Sequence, residues 1–324
     1  MIMMCVGAIL AAILATLFGI PYIDLMKKKM FGQYIREVAP ESHAKKEGTP
    51  TTGGVFIIGA ILIATIITLL LAQKLYTNAW VILISTLLFA FLGYKDDSIK
   101  IQGKKNEGLT PKQKLLLQIA IALIPSIYVF HQGATAIRFG AFDLQLGYLY
   151  PLFSVFVIVA SSNAFNLTDG LDGLATSCAV PVFLSIAAVA TYMARADIAI
   201  IAAVTVGALM GFLKYNKPKA QIFMGDTGSL ALGGLMGSLA VVGKFELYFA
   251  IIAGLFVMEA LSVIIQVWHY KRTGNRFFRM APLHHHYELC GHGEEHIVKM
   301  FAFVSMLFAF LGYLLLTGGQ LVWY

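Results

Sequence analysis

Ten long apolar runs dominate this sequence, with polar segments between them. They cover residues 1–23, 53–72, 77–93, 115–130, 144–160, 174–194, 198–213, 228–242, 247–268 and 300–316. In a bilayer every backbone N–H and C=O group has to be hydrogen-bonded within the protein, so an apolar run of about 20 residues folds as a helix. Several runs are shorter than this, and we expect those helices to tilt or the bilayer to thin around them.

The composition agrees with a membrane protein and excludes an ordinary soluble enzyme. Hydrophobic residues make up 59% of the chain and charged residues only 13%, which leaves too little polar surface for a soluble fold of this length. The first run follows no Lys or Arg and is too long for the core of a signal peptide. We therefore predict an all-α polytopic membrane protein, residues 1–324 in one integral membrane domain, with about ten transmembrane helices.

The distribution of Lys and Arg predicts the orientation. If the segments after every second run, beginning with the first, face the same side, that side carries all but four of the 24 Lys and Arg. The four exceptions are Lys74, Arg138, Arg195 and Lys244. The positive-inside rule makes the rich side cytoplasmic and puts both termini outside. The net charge of +7 is thus explained by orientation and attraction to phosphates, and no nucleic-acid partner is predicted.

The acidic pair Asp96-Asp97 lies where the third run ends. A charged group at a membrane boundary is costly unless it is paired, metal-bound or hydrated. The simplest interpretation is a solvated helix end, because several lysines lie nearby. Adjacent residues of a helix project about 100° apart, so the alternative gives the two side chains separate roles. One carboxylate then acts as a base and the other orients a phosphate or a metal-bound water.

A second polar stretch, residues 161–173, has Asn or Asp at every third position from Asn163 to Asp172 and no Lys or Arg. Gly170 and Gly173 allow the chain to bend there, so these side chains can converge on a cavity. The alternative is a loop of helix-capping residues, with Thr168 and Asp169 as plausible N-caps.

Asp226 lies in a third acidic segment, Phe223-x-Gly-Asp-Thr-Gly-Ser229. It precedes an apolar run, so it is either a helix cap or a ligand for Mg²⁺. Its place on the same predicted side as the other acids favours the ligand, since Mg²⁺ prefers carboxylate oxygen and bridges substrate phosphates.

Three consecutive histidines occur in the segment Pro282-Leu-His-His-His-Tyr-Glu288, after a run of Arg and Lys. Their spacing is poor for zinc. Imidazoles that donate to phosphate oxygens fit better. Glu259, inside the ninth run, either has a functional role or pairs with a polar neighbour.

These motifs, in this order and across the whole chain, resemble those of the polyprenyl-phosphate sugar-1-phosphate transferases. The histidine motif and Gly48-Thr-Pro-Thr-Thr-Gly-Gly54 resemble one family among them, the phospho-N-acetylmuramoyl-pentapeptide transferases. The resemblance implies a bacterial inner-membrane homodimer of ten-helix subunits with the active site on the cytoplasmic face. It implies Mg²⁺-dependent transfer of phospho-MurNAc-pentapeptide from UDP-MurNAc-pentapeptide to undecaprenyl phosphate, giving lipid I and UMP.

The resemblance also implies roles for individual residues. The positions that match catalytic residues are Asp96, Asp97, Asp226 and His284, and Asp226 also matches the metal ligand. The positions that match substrate-binding residues are Thr51, Lys104, Lys112, Asn166, Asp169, Asp172, Asn216, Phe223, Ser229, His285 and His286.

Two other functions remain open from the residues alone. A sister transferase that uses UDP-GlcNAc has the same acidic motifs, but the histidine motif argues against it. A transporter or channel has a binding site near the bilayer midplane, whereas nearly every carboxylate here lies at the edge of an apolar run.

Overall fold

The computed structural model describes residues 1–28, 48–74, 76–103 and 108–318. Its helices and strands, in chain order, are α1 (Ile2–Lys28), α2 (Gly54–Leu71), α3 (Thr77–Gly103), α4 (Pro111–His131), β1 (Ala136–Phe139), β2 (Phe142–Gln145), α5 (Tyr150–Thr168), α6 (Leu174–Tyr192), α7 (Ala196–Asn216), α8 (Gly225–Gly243), α9 (Glu246–Ile252), α10 (Gly254–Thr273), α11 (Leu283–Leu289) and α12 (Glu294–Thr317). Each predicted apolar run coincides with one or two of these helices.

The helices are those of a multi-pass membrane protein. In the described part of the chain, eight are long and apolar enough to cross a bilayer, and a ninth span results if α9 and α10 are counted together. The helix α8 is not one of them, yet it is buried along its length from Thr227 to Gly243. The predicted number of ten spans thus exceeds what length and composition support, and α8 accounts for the difference.

Small residues explain how α8 packs so closely in the centre of the bundle. A Cβ atom at Gly233 would lie 2.7 Å from the carbonyl oxygen of Ser161, and one at Gly237 would lie 2.7 Å from Ile158 Cα. Both contacts are with α5, so the Gly-x-x-x-Gly pair allows the two backbones to approach each other, as in other membrane helix pairs.

The ninth run does not form the single straight span that its length predicts. It divides at Ala253 into α9 and α10, whose axes differ by 82°. Gly254 packs on the Phe308 ring, which a Cβ atom there would approach to 2.5 Å. Contacts of this kind depend on α12, so the local sequence pattern does not reveal the break.

A β-hairpin is an addition to the predicted all-α fold. Strands β1 and β2 pair antiparallel, with Ala136 opposite Gln145 and Phe139 opposite Phe142. The fifth run was predicted to begin its helix at residue 144, but residues 142–145 are strand and α5 begins at Tyr150. Only the last two residues of the hairpin, Leu144 and Gln145, lie within that apolar run, and residues 136–143 precede it.

The two ends of α8 organise the polar residues of the protein. We call the end near Asp226 the site end and the end near Lys244 the hairpin end. At 1.5 Å per residue, the 19 residues of α8 separate them by about 28 Å.

Candidate active site

Asp226, in the first turn of α8, joins four helices at the site end. Its Oδ2 atom accepts hydrogen bonds from Lys100 Nζ of α3 at 2.9 Å and from Lys114 Nζ of α4 at 2.7 Å. Its Oδ1 atom accepts one from Asn166 Nδ2 of α5 at 2.7 Å. A carboxylate that binds two ammonium groups and an amide is strongly anionic and is held in one orientation.

Asp96 is a second buried carboxylate in the same charge cluster. Its Oδ2 atom lies 2.6 Å from Lys100 Nζ and 3.9 Å from Lys114 Nζ. Its Oδ1 atom accepts a hydrogen bond from the Leu109 N–H group at 2.8 Å. Asp96 and Asp226 therefore share the same two lysines.

Asp97 has a different environment from its neighbour in sequence. It is buried, and its Oδ1 atom accepts the N–H group of Asp226 at 3.0 Å. Its Oδ2 atom accepts the N–H group of Thr227 at 2.9 Å and the Thr227 hydroxyl at 2.6 Å. Both oxygens thus bind the first turn of α8, whose N–H groups have no partner within the helix. The approach depends on Gly225, whose φ is +71° and whose Cβ would lie 2.6 Å from Asp97 Oδ2.

Asn166 and Ser229 complete the support of Asp226. Besides its bond to Asp226, Asn166 Nδ2 donates to Ser229 Oγ at 2.8 Å. The Ser229 hydroxyl donates to the carbonyl of Gly225 at 3.0 Å. Five predicted site residues therefore form one contiguous group: Asp96, Asp97, Asn166, Asp226 and Ser229.

Asp169 lies at the C-terminal end of α5, close to this group but without a bond to it in the described residues. Burial raises the pKa of its carboxyl to about 8, and the negative charges of Asp226, Asp97 and Asp172 add to the effect. The raised pKa favours the protonated form of this side chain near neutral pH.

Two residues predicted to line the nucleotide pocket support a loop between α7 and α8. Asn216 accepts a hydrogen bond from Thr176 Oγ1 at 3.0 Å and donates to the Ile222 carbonyl at 3.1 Å. Asp172 accepts the N–H group of Ala220 at 2.9 Å. These contacts fix residues 217–222 against the segment after α5.

Phe223 follows that loop and is half-buried. Its N–H group donates to the Pro50 carbonyl at 2.8 Å, and its carbonyl accepts the N–H group of Gly53 at 2.9 Å. The backbone of residue 223 is therefore anchored, and the residue as a whole is half-buried. Thr51, in the same segment, is buried.

His284 is fully buried at the start of α11. Its Nδ1 atom lies 3.3 Å from Glu259 Oε1, and its Nε2 atom has no hydrogen-bond partner in the described residues. Gly170 lies against Nε2, so closely that a Cβ atom at Gly170 would overlap it. The ring is thus next to the segment between Asn166 and Asp172.

The other two histidines make local contacts. His285 Nδ1 lies 2.7 Å from Glu288 Oε2. His286 Nδ1 accepts the N–H group of Arg279 at 3.2 Å, and its Nε2 lies 3.7 Å from Cys290 Sγ. His286 therefore holds the turn before α11, and its predicted role in substrate binding gains no support from these contacts.

The lysines around Asp226 are not the ones that the resemblance selected. Lys112 is exposed on the first turn of α4, and Lys104 lies outside the described residues. The lysines in contact are Lys100 and Lys114. Lys100 follows Asp96 by four residues, a spacing that brings side chains together on a helix, and this signal was available in the sequence.

The described residues include no group of three or more His, Cys, Asp or Glu side chains arranged to hold a metal ion. Such a group is not required for Mg²⁺, which commonly binds one or two carboxylates, several waters and the phosphates of a substrate.

Comparison with known proteins identifies the family. Residues 79–244 match the family model described as glycosyl transferase family 4. The phospho-N-acetylmuramoyl-pentapeptide-transferase of Bacillus licheniformis is 45% identical over 309 residues, which are 94% of each chain. The chain belongs to the phospho-N-acetylmuramoyl-pentapeptide transferases. The relative from Bacillus subtilis is 46% identical over 293 residues, 90% of each chain, and that from a Geobacillus species is 44% identical over 314 residues.

Membership of this transferase family confirms the resemblance of the motifs, and it does not favour the UDP-GlcNAc alternative or a transporter. The family model covers Asp96, Asp97, Asn166, Asp169 and Asp226. The histidine motif lies beyond it, within the stretch shared with the full-length relatives.

Proposed function

We propose that this enzyme transfers phospho-MurNAc-pentapeptide from UDP-MurNAc-pentapeptide to undecaprenyl phosphate, releasing UMP and forming lipid I. The observation that carries the proposal is Asp226, a carboxylate held at a helix N-terminus by Asn166 and surrounded by Lys100 and Lys114. Such a site binds cations and phosphates together, as phosphoryl transfer requires.

Asp226 is the residue we assign to Mg²⁺. The fit is supported by the chemistry of the donor atoms, because Asp226 and Asp96 both offer carboxylate oxygens. An ammonium group lies within 3 Å of each carboxylate, which shows that this position favours a positive charge. When bound, Mg²⁺ neutralises charge on the diphosphate of the substrate. Asn166 keeps Asp226 in place by a hydrogen bond to its side chain, and Asp97 does so by accepting a hydrogen bond from its backbone N–H group.

Lys100 and Lys114 are proposed to bind phosphate oxygens. Both ammonium groups reach Asp226 from separate helices, and both are partly exposed. When the substrate diphosphate enters, they exchange part of their contact with Asp226 for the new anion. This exchange gives the diphosphate two cationic partners, while Asp226 keeps its hydrogen bond from Asn166.

Asp96 is proposed to take the proton of the acceptor. A phosphate monoester has a second pKa of about 6, so part of it carries a proton at neutral pH. An oxygen of the acceptor phosphate attacks the phosphorus atom that is attached to the sugar, and the bond between that phosphorus and UMP breaks. The proton of the acceptor phosphate is transferred to Asp96.

A two-step path through an aspartyl phosphate is the alternative. Asp97 is poorly suited as its nucleophile, because both of its oxygens accept hydrogen bonds from α8. Both oxygens of Asp226 also accept hydrogen bonds, from Lys100, Lys114 and Asn166, so it too has to give up a bond before it can attack. Direct attack inverts the configuration at phosphorus, whereas two steps retain it, so a chiral, isotopically labelled phosphate distinguishes them.

The wider arrangement is also proposed: ten spans with both termini outside, a cytoplasmic site, the bacterial inner membrane and a homodimer. The asymmetry of Lys and Arg supports the orientation. The cluster lies at the end where α3 finishes and α8 begins, and the sequence that follows α3 is rich in Lys. A lipid phosphate then enters from the bilayer and the nucleotide sugar from the cytoplasm.

The proposal is tested with purified protein, undecaprenyl phosphate and either UDP-MurNAc-pentapeptide or UDP-GlcNAc, followed by lipid extraction. We expect a lipid product and UMP only with the first donor. A lipid product from UDP-GlcNAc alone would contradict the assignment.

Phe223→Ala is expected to weaken donor binding more than it slows the saturated reaction, since an aromatic face stacks on the uracil and Asp172 contacts its edge.

A further inference from the structure

Thr52, in the segment before α2, has a backbone conformation that is rare for its residue type. Its φ angle is +69°, in the left-handed region, where a β-branched residue is strained. The residue is also buried, with only 1% of its surface exposed. Strain of this kind persists only where the surrounding structure holds it, and it is most frequent at functional sites. Specific contacts must therefore keep Thr52 in this conformation.

A hydrogen bond from α1 holds the Thr52 side chain. The Tyr22 hydroxyl lies 2.9 Å from Thr52 Oγ1, and Thr52 Oγ1 lies 2.5 Å from the carbonyl oxygen of Thr51. A threonine hydroxyl has a single proton. Thr52 donates it to that carbonyl, since Met26 Sδ, at 3.7 Å, is a weaker acceptor. The Tyr22 hydroxyl is therefore the donor to Thr52, and it links the end of α1 to this segment.

Tyr22 is itself fixed by aromatic side chains of two other helices. Its ring centroid lies 5.6 Å from that of Phe56 in α2, which in turn lies 5.6 Å from that of Phe212 in α7. Phe56 and Phe212 are buried, so the rings pack α1, α2 and α7 together at this point. The position of the Tyr22 hydroxyl is therefore set by helix packing and does not depend on Thr52.

The segment around Thr52 is paired with the chain at the site end of α8. The Phe223 N–H group donates to the Pro50 carbonyl at 2.8 Å, and the Gly53 N–H group donates to the Phe223 carbonyl at 2.9 Å. Thr52 lies between Pro50 and Gly53, so its φ angle decides whether both bonds form at once. With a negative φ at Thr52, the Gly53 N–H group would be turned away from Phe223.

Phe223 depends on this pairing more than Asp226 does. Both backbone groups of Phe223 bind the segment around Thr52. The Asp226 carboxylate is instead held by side chains of α3, α4 and α5. A change at Thr52 therefore displaces the aromatic residue and leaves the bonds of the acid in place.

We propose that Thr52 is a positioning residue for the nucleotide sugar and that Tyr22 keeps it in its strained conformation. Thr52 acts through the backbone of Phe223, which determines where the aromatic ring meets the base. The inference rests on the proposed function, in which Phe223 contacts the uracil. It extends the set of residues that determine donor affinity to α1, which carries none of the residues of the proposed chemistry.

The first test compares three substitutions of Thr52 in steady-state kinetics with UDP-MurNAc-pentapeptide. Thr52→Ser keeps the hydroxyl and is expected to have the wild-type KM. Thr52→Val keeps the shape but loses the hydrogen bond that opposes the strain, so KM should rise about tenfold while kcat changes by less than about twofold. Thr52→Gly also loses the hydroxyl, but glycine adopts a positive φ without strain, so its KM should rise less than that of Thr52→Val. A wild-type KM in Thr52→Val, or a KM in Thr52→Gly that equals or exceeds it, overturns the proposal.

A second variant tests the hydrogen bond without altering Thr52. Tyr22→Phe removes the hydroxyl and keeps the ring against Phe56. We expect KM for the nucleotide sugar to rise about three- to tenfold. Combined with Thr52→Val, it should cause no further rise, because both substitutions remove the same bond. Independent, multiplying increases in KM would show that Tyr22 acts on another group and would overturn the proposal.

Two control variants separate this role from a general loosening of the helices. Thr68→Val removes a buried hydroxyl elsewhere in α2, where it donates to the Ala64 carbonyl. Tyr128→Phe removes a phenolic hydroxyl that donates to Asn78. Both are expected to keep the wild-type KM, since a loss of folded protein lowers the measured kcat but not KM. A rise in KM as large as that of Thr52→Val in either control would contradict the proposal.

A binding measurement gives a result that does not depend on turnover. The affinity for UDP in the presence of Mg²⁺ is measured by isothermal titration calorimetry on the purified wild-type protein, Thr52→Val and Tyr22→Phe. We expect binding to be about tenfold weaker in Thr52→Val. Equal affinity in wild type and Thr52→Val overturns the proposal even if the protein makes lipid I. Weaker binding in Thr52→Val, together with a failure of the wild type to make lipid I, contradicts the proposed function alone. A wild-type protein that does not bind UDP contradicts both.

Discussion

The two ends of α8 both bury charged residues, but they balance the charges differently. At the hairpin end each buried acid has a base of its own. Lys244 Nζ lies 2.8 Å from Glu246 Oε1, and an Arg195 nitrogen lies 3.4 Å from Asp197 Oδ2. Neighbouring hydroxyl and amide groups complete these pairs, since the Tyr150 hydroxyl also donates to Glu246.

At the site end the acids share their bases. Asp96 and Asp226 both contact Lys100 and Lys114, and Asp97 uses backbone N–H groups instead of a cation. A network with matched pairs stabilises one arrangement, whereas a network with shared cations can exchange partners when a charged ligand arrives. We infer that the charge pairs at the hairpin end stabilise the fold. The charged residues at the site end bind a charged ligand and exchange partners when it arrives.

The largest expected contrast between the two ends is at the acids themselves. Asp226→Asn is expected to lower kcat by at least about 10²-fold, and EDTA is expected to abolish activity in the wild-type protein. Asp197→Asn, at a buried acid of the hairpin end, is expected to keep most of the activity per folded molecule. Both are measured by UMP release, with folding checked by thermal melting. Full activity in EDTA would argue against the metal assignment.

A second contrast divides the lysines within the site end. Lys114→Ala removes an ammonium group that contacts Asp226, whereas Lys112→Ala removes an exposed one two residues away. We expect a loss in kcat/KM of about 10- to 100-fold for the first and less than about twofold for the second. Equal losses would indicate that basic charge near α4 matters and that the contact with Asp226 does not.

A third contrast separates the adjacent acids of α3. Asp97→Asn is expected to lower both the melting temperature and the activity, because one of the two acceptors for the first turn of α8 becomes an amide nitrogen. The stability loss should be about 1–2 kcal/mol. Asp96→Asn is expected to lower activity with little change in melting, and to recover as the pH rises and deprotonates the acceptor. Normal melting of Asp97→Asn would contradict the capping role.

A smaller effect concerns the pH dependence of stability through Asp169. Its carboxyl has a pKa of about 8 in the folded protein, against an ordinary value of 3.8. Between these values the folded protein binds a proton that the unfolded chain has released, so the free energy of unfolding falls as the pH rises. In Asp169→Asn, melting without Mg²⁺ should depend less on pH in this window. Asp143→Asn, exposed on the hairpin, serves as the control and is expected to melt like the wild type.

The smallest effect is expected at the hairpin end. Tyr248 stacks on Phe139 with ring centroids 4.7 Å apart, and its hydroxyl accepts the N–H group of Gly140 at 2.6 Å. Tyr248→Phe removes only that hydrogen bond and should cost about 1 kcal/mol without altering kcat. A change in kcat would show that the two ends are coupled.

The sequence predicted those parts of the fold and site that depend on local pattern. Apolar length gave the helices, and the acidic motifs selected residues that meet around Asp226. The pattern could not predict contacts that depend on distant helices. The capping of α8 by Asp97 and the pairing of Glu259 with His284 join residues 129 and 25 positions apart. The break at Ala253 depends on α12 in the same way. The hairpin was missed because its strands are only four residues long and mix apolar residues with Arg138 and Asp143.

The burial of α8 also has a consequence for how the protein is made. This helix is buried from Thr227 to Gly243, so in the folded bundle it is surrounded by the other helices. Its neighbours α3 and α5, which supply Asp97 and the surface for Gly233, precede it in the chain. During synthesis they are therefore available before α8 leaves the ribosome, and α8 is expected to enter the bilayer against them. Variants that weaken that surface should then lower the yield of inserted protein before any effect on catalysis is seen.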